Sequence, residues 1–252
     1  MITVVECRGI GERVPSPMLS NVTRLLDPAR FRVVGVPWLA SYGPVPLPLG
    51  PSFDESLRHG RPLVIDAIRR DPNPVILLGY SGGAGLAGDV AAEIARGEHP
   101  DLDVRGVGLI SDPCAPWYGS SGEIGSHGIT GPRPILRAFP RWWISDPADV
   151  ICCCPGDSPL RTIADQTASM SLANLIGWGA DLTRRLLVKE WQDVAIDWRN
   201  RDAVRALYTQ ARHDAEGYLS RGDHTSYATR LYPGSTRTYC EWLADRINEI
   251  RE

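Results

Sequence analysis

The segment NPVILLGYSGGAG, at residues 73–85, constrains the fold of this chain more than any other. Its first part is a short, uncharged run rich in valine, isoleucine and leucine, which is typical of a buried strand. Its second part places one serine, Ser81, among four glycines, and a helix-like sequence follows directly. A sharp turn from strand into helix leaves little room for side chains, so glycine is the residue expected around it. The segment therefore predicts a strand, a tight turn that presents the Ser81 hydroxyl, and a helix.

The rest of the chain alternates in the same way between short apolar runs and helical patterns. Runs that are apolar on both faces predict strands at residues 2–7, 31–36, 75–79, 104–111 and 150–154. This alternation predicts a single α/β domain over residues 1–252, with a central, mostly parallel sheet flanked by helices. Two segments depart from the pattern. Residues 115–147 are expected to form a long surface excursion, and residues 159–220, which contain no convincing strand, a helical insertion.

Ser81 lies within Gly79-Tyr80-Ser81-Gly82-Gly83, which matches G-x-S-x-G, the nucleophile-elbow motif of α/β-hydrolases. In that fold the serine stands at the carboxyl edge of the sheet, near the N-terminus of the next helix. The free N–H groups and the dipole of that helix favour a developing negative charge. A glycine-rich turn with an incidental serine is the alternative. The strand before the motif and the helix after it favour an α/β-hydrolase with Ser81 as nucleophile.

A serine hydroxyl needs a base, and in this fold the chain order is serine, acid, histidine. Four histidines follow Ser81, and the last three are the candidates for the base. His127 comes too early for an acid to lie before it, and His213 lies in a helical pattern where a solvated position is the simpler interpretation. His224, in a polar segment shortly before the last predicted helix, is therefore the predicted base. The alternative is a surface histidine bonded to Asp223.

The acid and the oxyanion-binding groups should also follow strands. Asp112 ends the predicted strand after the elbow helix. Asp157 follows a later one, closer in chain order to His224, and is favoured. One oxyanion donor is expected to be the backbone N–H of Gly82, the residue after the nucleophile. The other is expected from the glycine-rich CRGIGER segment, with the N–H of Ile10 as candidate, unless that segment is a turn without chemistry.

Composition excludes several classes of protein. A net charge of −3 offers no basic surface for nucleic acid. No apolar run is long enough to span a membrane, and the opening sequence lacks the basic leader of a signal peptide, so we expect no integral membrane association and synthesis in the cytoplasm without an export signal. The six cysteines, three of them consecutive, lack C-x₂-C spacing. They are expected to be buried free thiols, with no metal and no cofactor.

At four islands the chain resembles the lysin B family of mycobacteriophage esterases, which are themselves similar to cutinases. The islands are RGIGE, GYSGG, PGD and DHTSYATRLYP, and they occur in the family's order. The resemblance implies a cutinase-like α/β-hydrolase in which Ser81 is the nucleophile, Asp157 the acid and His224 the base. It also makes residues 159–220 similar to the linker subdomain of lysin B. One departure is Gly82, where the family usually has glutamine.

The resemblance implies a serine esterase that hydrolyses the ester between mycolic acid and arabinogalactan in the envelope of mycobacteria and their relatives during phage lysis. Such an enzyme is made in the host cytoplasm and acts on the host envelope. A general cutinase-like lipase or carboxylesterase, and a non-catalytic envelope-binding protein on the same fold, are the alternatives; no oligomeric state is predicted. Four aromatic residues either line the acyl cleft or pack the excursion onto the core: Trp117, Tyr118, Trp142 and Trp143.

Overall fold

The computed structural model describes residues 1–116, 125–168 and 199–251. The strands in these ranges are β1 (Ile2–Cys7), β2 (Phe31–Gly35), β3 (Val75–Tyr80), β4 (Val104–Ile110), β5 (Ser126–His127), β6 (Arg141–Ile144) and β7 (Cys154–Pro155). Five of them form a parallel sheet in the order β2–β1–β3–β4–β6. The two shortest, β5 and β7, pair with each other in antiparallel fashion.

Helices cover both faces of this sheet. They are α1 (Ser20–Thr23), α2 (Phe53–Arg70), α3 (Gly82–Ala95), α4 (Leu160–Thr167), α5 (Arg201–Glu216) and α6 (Tyr239–Asn248). A π-helical turn, Gly217–Arg221, extends α5, and a 3₁₀ helix, Asp223–Ala228, follows it. Both α2 and α6 begin with a capping box, formed by Ser52 with Glu55 and by Thr238 with Glu241.

The sheet is buried on both faces because successive residues of each strand point to opposite sides. Val5 and Leu77 lie in the core formed with α2 and α3. Val4 and Ile76, their neighbours in sequence, lie in the core formed with α1 and α6, where Leu243 is also buried. The apolar character of both faces, visible in the sequence, thus corresponds to one core on each side.

The predicted mostly parallel sheet flanked by helices is confirmed. Four of the predicted strands occur, with ends that differ by at most one residue from those expected. The strand predicted at residues 150–154 is wrong, because this stretch forms turns and only Cys154 enters a strand, β7. The fifth strand of the sheet is β6, which lies inside residues 115–147, the segment predicted as a surface excursion.

The sequence of β6 is Arg-Trp-Trp-Ile, which lacks the aliphatic run of the other strands. It lies at the edge of the sheet, where the two tryptophans cover opposite faces. Trp142 packs against the core of α1 and α6, and Trp143 against the core of α2 and α3. Gly106 of β4 leaves space for the first of them, since a Cβ there would lie 3.2 Å from the Trp142 ring. Aromatic bulk thus replaces the aliphatic pattern by which a strand is recognised.

The described parts of residues 159–220 are largely helical, since they contain α4, α5 and most of the π-helical turn. Residues 169–198 lie outside the described part of the chain. A separate subdomain here stays a prediction. No helix among residues 1–116, 125–168 and 199–251 is long and apolar enough to cross a membrane.

Glu6, near the end of β1, is a buried carboxyl group with 5% of its surface exposed. Burial is the main cause that raises its pKa to about 7, and the charge of Glu12 acts in the same direction, against a hydrogen bond with Thr23. The unfolded chain ionises near the ordinary pKa of 4.5, whereas the folded protein keeps this proton until about pH 7. Folding stability contributed by this group therefore falls as pH rises from 4.5 to 7.

Glu6→Gln should remove this loss, because the amide has no proton to release. We expect the gain in free energy of unfolding over the wild type to be about 2–3 kcal/mol larger at pH 8 than at pH 5. Urea unfolding of both proteins at both pH values measures it. A gain that is the same at the two pH values would contradict the buried, protonated state of Glu6.

Candidate active site

Ser81 occupies the turn between β3 and α3 with φ 55° and ψ −126°, a conformation that residues other than glycine rarely adopt. Its N–H donates to the carbonyl of Ile110, which ties the turn to the end of β4. The turn packs closely against the end of β1, since a Cβ at Gly83 would overlap the carbonyl oxygens of Cys7 and Arg8. Close packing on two sides thus holds the Ser81 hydroxyl at the carboxyl edge of the sheet.

The structure brings His224 to this hydroxyl from 143 residues further along the chain, with Nε2 2.9 Å from Ser81 Oγ. The ring is 10% exposed and is held from both sides. Tyr80 stacks on it with a centroid separation of 5.2 Å, and the Tyr80 hydroxyl donates to the His224 carbonyl. Tyr218, from the π-helical turn, lies against the ring at 5.1 Å. These contacts fix the imidazole over the serine.

The carboxylate beside His224 belongs to Asp149, in the loop after β6. Its Oδ2 lies 2.9 Å from His224 Nδ1, and the side chain is completely buried. Its Oδ1 accepts from the N–H of Ile151, while Oδ2 also accepts from the hydroxyls of Ser111 and Tyr227. Serine, imidazole and carboxylate therefore form the continuous hydrogen-bonded chain that nucleophilic catalysis by serine requires.

Burial and hydrogen bonding act in opposite directions on the Asp149 carboxyl group. Burial raises its pKa, but the charge of His224 and the hydrogen bonds from His224, Ser111 and Tyr227 together outweigh this and lower the pKa below its ordinary value. Asp149 is thus the ionised, acceptor-only partner that keeps a proton on His224 Nδ1. Nε2 is then free to accept the proton of Ser81.

The prediction that Asp157 stands beside the histidine is corrected by this geometry. Asp157 is exposed in the turn before α4, and Asp149 occupies the position next to His224. The other candidate, Asp112, is buried elsewhere. It forms an ion pair with Arg133 at 2.5 Å and accepts from the indole N–H of Trp143 at 3.1 Å.

The error follows from the misplaced strand. With a strand expected at residues 150–154, Asp157 came after it and Asp149 before it. Because β6 instead completes the sheet, Asp149 lies in the loop that leaves the carboxyl edge of the sheet. A strand predicted at Arg141–Ile144 would make Asp146 and Asp149, which follow it, the candidates for the acid. Ser111 and Tyr227 were not predicted, because nothing local marks a hydroxyl that donates to a distant carboxylate.

The two predicted oxyanion donors lie in adjoining segments. Gly82 is the first residue of α3, whose N–H has no partner within the helix. The side chain of Ile10 packs on it, so that a Cβ at position 82 would lie 2.7 Å from Ile10 Cγ1. Glu12 fixes the Ile10 loop by accepting from the N–H groups of Gly9 and Met18. Ile10 thus fills the space that a larger residue 82 would need, and the donor roles stay predictions.

A cavity of about 710 Å³ opens at Ser81 and His224. Its wall is mostly apolar, with contributions that include Ile10, Tyr42, Phe53, Ile151, Ile163 and Tyr218. The described residues provide no group of three or more His, Cys, Asp or Glu side chains able to hold a metal ion. The Ser81 hydroxyl thus lies at the mouth of a largely apolar chamber.

Two of the four aromatic residues predicted to line the acyl cleft, Trp142 and Trp143, do not form this wall. Trp142 and Trp143 lie on β6 and pack into the two cores, so for them the prediction is wrong and packing accounts for their positions. Trp117 and Tyr118 lie outside the described residues. The aromatic residues that do line the cavity include Tyr42 and Phe53, which stack with a centroid separation of 5.4 Å.

No protein-family profile and no curated protein matches the sequence. Among solved structures, the chain is similar to lysin B from Mycobacteriophage D29, with a TM-score of 0.50, 14% identity, and 98% of each chain covered. It is also similar to an acetylxylan esterase (TM-score 0.46, 17% identity, 76% of this chain and 98% of that one). A cutinase-like protein from Cryptococcus sp. has a TM-score of 0.45 and 16% identity, over 74% of this chain and 90% of that one. The full-length likeness to lysin B confirms the predicted α/β-hydrolase fold.

Replacing each of the two candidate acids, Asp149 and Asp157, with asparagine separates their roles. We expect Asp149→Asn to lower kcat for a short p-nitrophenyl ester by about 10³–10⁴-fold, because an amide no longer holds the required imidazole tautomer. Asp157→Asn makes the same chemical change at an exposed position and should leave kcat within about twofold of the wild type. Circular dichroism of both variants controls for folding. A crippled Asp157→Asn beside an active Asp149→Asn would reverse the assignment.

The packing of Ile10 on Gly82 can be tested by a compensating pair of substitutions. We expect Gly82→Ala to lower kcat/KM at least about tenfold, because the added methyl group displaces the Ile10 loop and its N–H. Ile10→Ala combined with Gly82→Ala restores the space and should recover most of the loss. Steady-state kinetics of the single and double variants measure both effects. A double variant no better than Gly82→Ala would show that crowding at Ile10 is not the cause.

Proposed function

We propose that this protein is a serine carboxylic ester hydrolase that acts through an acyl-enzyme on Ser81. The observation that carries the proposal is the chain of two 2.9 Å contacts from Ser81 Oγ through the His224 ring to Asp149. The strained turn at Ser81 and the burial of Asp149 support the same role, because both are typical of sites where geometry serves catalysis.

In the first half-reaction, Ser81 Oγ attacks the ester carbonyl carbon while His224 Nε2 takes the hydroxyl proton. Asp149 holds the other ring proton on Nδ1 and stabilises the imidazolium that forms. The N–H groups of Gly82 and Ile10 donate to the oxyanion of the tetrahedral intermediate. As the intermediate collapses, His224 gives its proton to the leaving alcohol, and the acyl group stays on Ser81.

In the second half-reaction, His224 removes a proton from water, and the resulting hydroxide attacks the acyl carbon. A second tetrahedral intermediate breaks the bond to Ser81 Oγ, which regains the proton from His224. The products are a carboxylic acid and an alcohol, and no redox or metal chemistry enters the balance.

The substrate we propose is the ester of mycolic acid with arabinogalactan in the envelope of mycobacteria and related actinobacteria, cleaved during phage lysis. Three observations support it: the segments around Ser81 and His224 that resemble those of the lysin B family, the fold likeness over 98% of both chains, and the mostly apolar cavity wall. A cavity of about 710 Å³ has room for an aliphatic acyl segment beside Ser81. The same apolar wall also suits a general lipase or carboxylesterase, which is the second candidate.

A fluorophosphonate probe tests the nucleophile directly. We expect one covalent adduct, mapped by mass spectrometry to the peptide that contains Ser81, and none in Ser81→Ala or after denaturation. The adduct requires an activated hydroxyl, so its absence from the folded wild type would overturn the esterase proposal and leave a non-catalytic envelope-binding protein. Ser81→Ala should also lower kcat for ester hydrolysis by about 10³-fold or more.

A substrate panel then separates the two esterase candidates. We expect release of mycolic acids from purified mycolyl-arabinogalactan, measured by chromatography, with Ser81→Ala as the blank. Turnover of short p-nitrophenyl esters and of emulsified triglyceride, without release of mycolic acids, would favour the general lipase or carboxylesterase.

A further inference from the structure

Asp149 Oδ2 is contacted by two hydroxyl groups in addition to the imidazole of His224. The Ser111 hydroxyl donates to it at 2.5 Å, and the Tyr227 hydroxyl at 2.8 Å. Ser111 Oγ also lies 3.0 Å from His224 Nδ1, so that it touches both partners of the central hydrogen bond. Both residues are completely buried. Three donors thus converge on one oxygen in a site without exposure to water.

Ser111 is held in this position at a conformational cost. Its φ of 52° falls in the left-handed region that disfavours residues with a Cβ. It occupies the same place after β4 that Ser81 occupies after β3, and each donates its N–H to the last residue of the next strand, Ile144 and Ile110 respectively. Two adjacent strand ends therefore carry strained serines, one on each side of the His224 ring. A glycine would relieve the strain at position 111 but would lack the hydroxyl.

Tyr227 reaches Asp149 from the histidine side of the site. It is the fourth residue after Asp223 in the 3₁₀ helix that carries His224, and its ring packs edge-on against Tyr239 at 5.3 Å. Its oxygen also accepts from the N–H of Asp146 at 3.3 Å and lies 3.3 Å from Cys152 Sγ. Because a carboxylate can only accept, the hydroxyl proton is directed to Asp149.

We propose that Ser111 and Tyr227 are positioning residues that hold Asp149 Oδ2 opposite His224 Nδ1 and share its negative charge. This inference rests on the proposed function. The two hydroxyls keep the carboxylate ionised in a buried site, in keeping with the lowered pKa of Asp149, whose causes include both hydrogen bonds. They also limit how strongly Oδ2 attracts the Nδ1 proton, because each donor withdraws charge from that oxygen.

The direction of the effect on pH dependence follows from this charge sharing. With one donor removed, Oδ2 becomes a stronger acceptor for Nδ1–H, the imidazolium form is favoured, and the acid limb of the kcat/KM profile moves to higher pH. The other titratable or charged groups around Asp149, His224 and Tyr227 are Tyr80, Tyr218, Tyr239, Cys152, Asp146, Asp223 and Arg230. Removal of the Tyr227 hydroxyl takes a contact from the backbone N–H of Asp146 and, among the titratable side chains, from Cys152. It stays a neutral thiol, because burial raises its pKa.

Tyr227→Phe tests the proposal with the ring packing kept. We expect kcat to fall about tenfold, KM to stay within about twofold, and the acid limb to move up by about half a pH unit. Tyr239→Phe is the matched control, because it removes a hydroxyl from a buried tyrosine in the same core that does not contact Asp149. Equal losses in the two variants, or an unmoved acid limb in Tyr227→Phe, would overturn the proposal.

Ser111→Gly gives a readout that a purely structural role would not produce. Glycine relieves the positive φ, so we expect the thermal unfolding midpoint to lie above that of Ser111→Ala, while both variants lose about tenfold in kcat. Ser145→Ala, at the corresponding position after β6, is the control with wild-type kcat. Wild-type activity in Ser111→Gly would overturn the role of this hydroxyl.

A spectroscopic arm separates failure of this inference from failure of the proposed function. The Nδ1–H proton resonance of His224, assigned by its loss in His224→Gln, is recorded in a Ser81→Ala background that needs no turnover. We expect it to move downfield in Tyr227→Phe and to stay unchanged in Tyr239→Phe. An unmoved resonance in Tyr227→Phe would overturn the inference, whether or not the wild type hydrolyses esters.

Discussion

β1 and β3 pair directly in parallel, although β2 follows β1 in the chain and lies on its other side. The order of the strands therefore reverses between them, and such a switch point opens a crevice at the carboxyl edge of a parallel sheet. Cys7 pairs with Gly79, so the Ile10 loop and the Ser81 turn leave the sheet side by side. The proposed nucleophile, Ser81, and the segment proposed to bind the oxyanion are thus brought together by strand order before any side chain contributes.

The sequence predicted those parts of the site that depend on neighbouring residues. A strand, a glycine turn and a helix in succession identified Ser81, and chain order with a polar loop before the last helix identified His224 as its partner. The acid was missed because its identification depends on which stretch completes the sheet. Arg141–Ile144 is an edge strand whose tryptophans are buried by tertiary contacts, and local pattern does not distinguish it from a loop. Asp149 becomes a candidate only when that strand is recognised, whereas Asp157 follows an apolar run that forms turns.

Three buried carboxyl groups of this protein meet the cost of burial in three ways. Glu6 keeps its proton up to about pH 7, since burial raises its pKa to about 7. Asp112 has a pKa raised by burial even though Arg133, 2.5 Å away, acts to lower it. Asp149 is the one of the three whose pKa is lowered, and its partners are an imidazole and two neutral hydroxyls rather than a permanent cation. Such an arrangement leaves the charge of Asp149 available to respond when the imidazole gains a proton.

The turns at Ser81 and Ser111 both carry backbone strain. Each holds a non-glycine residue at positive φ, which costs on the order of 1–3 kcal/mol, and each follows a strand whose residues are almost all fully buried. Burial of the aliphatic residues of β3 and β4 stabilises the strands that hold these turns, at about 25 cal/mol per Å² of apolar surface removed from water. The hydroxyls of these two strained residues flank the imidazole, and the stabilising contacts lie one strand-length away in the cores. Substitutions in those cores can therefore change stability without moving the atoms of the site, whereas relief of strain by glycine at either position removes a hydroxyl that contacts the imidazole.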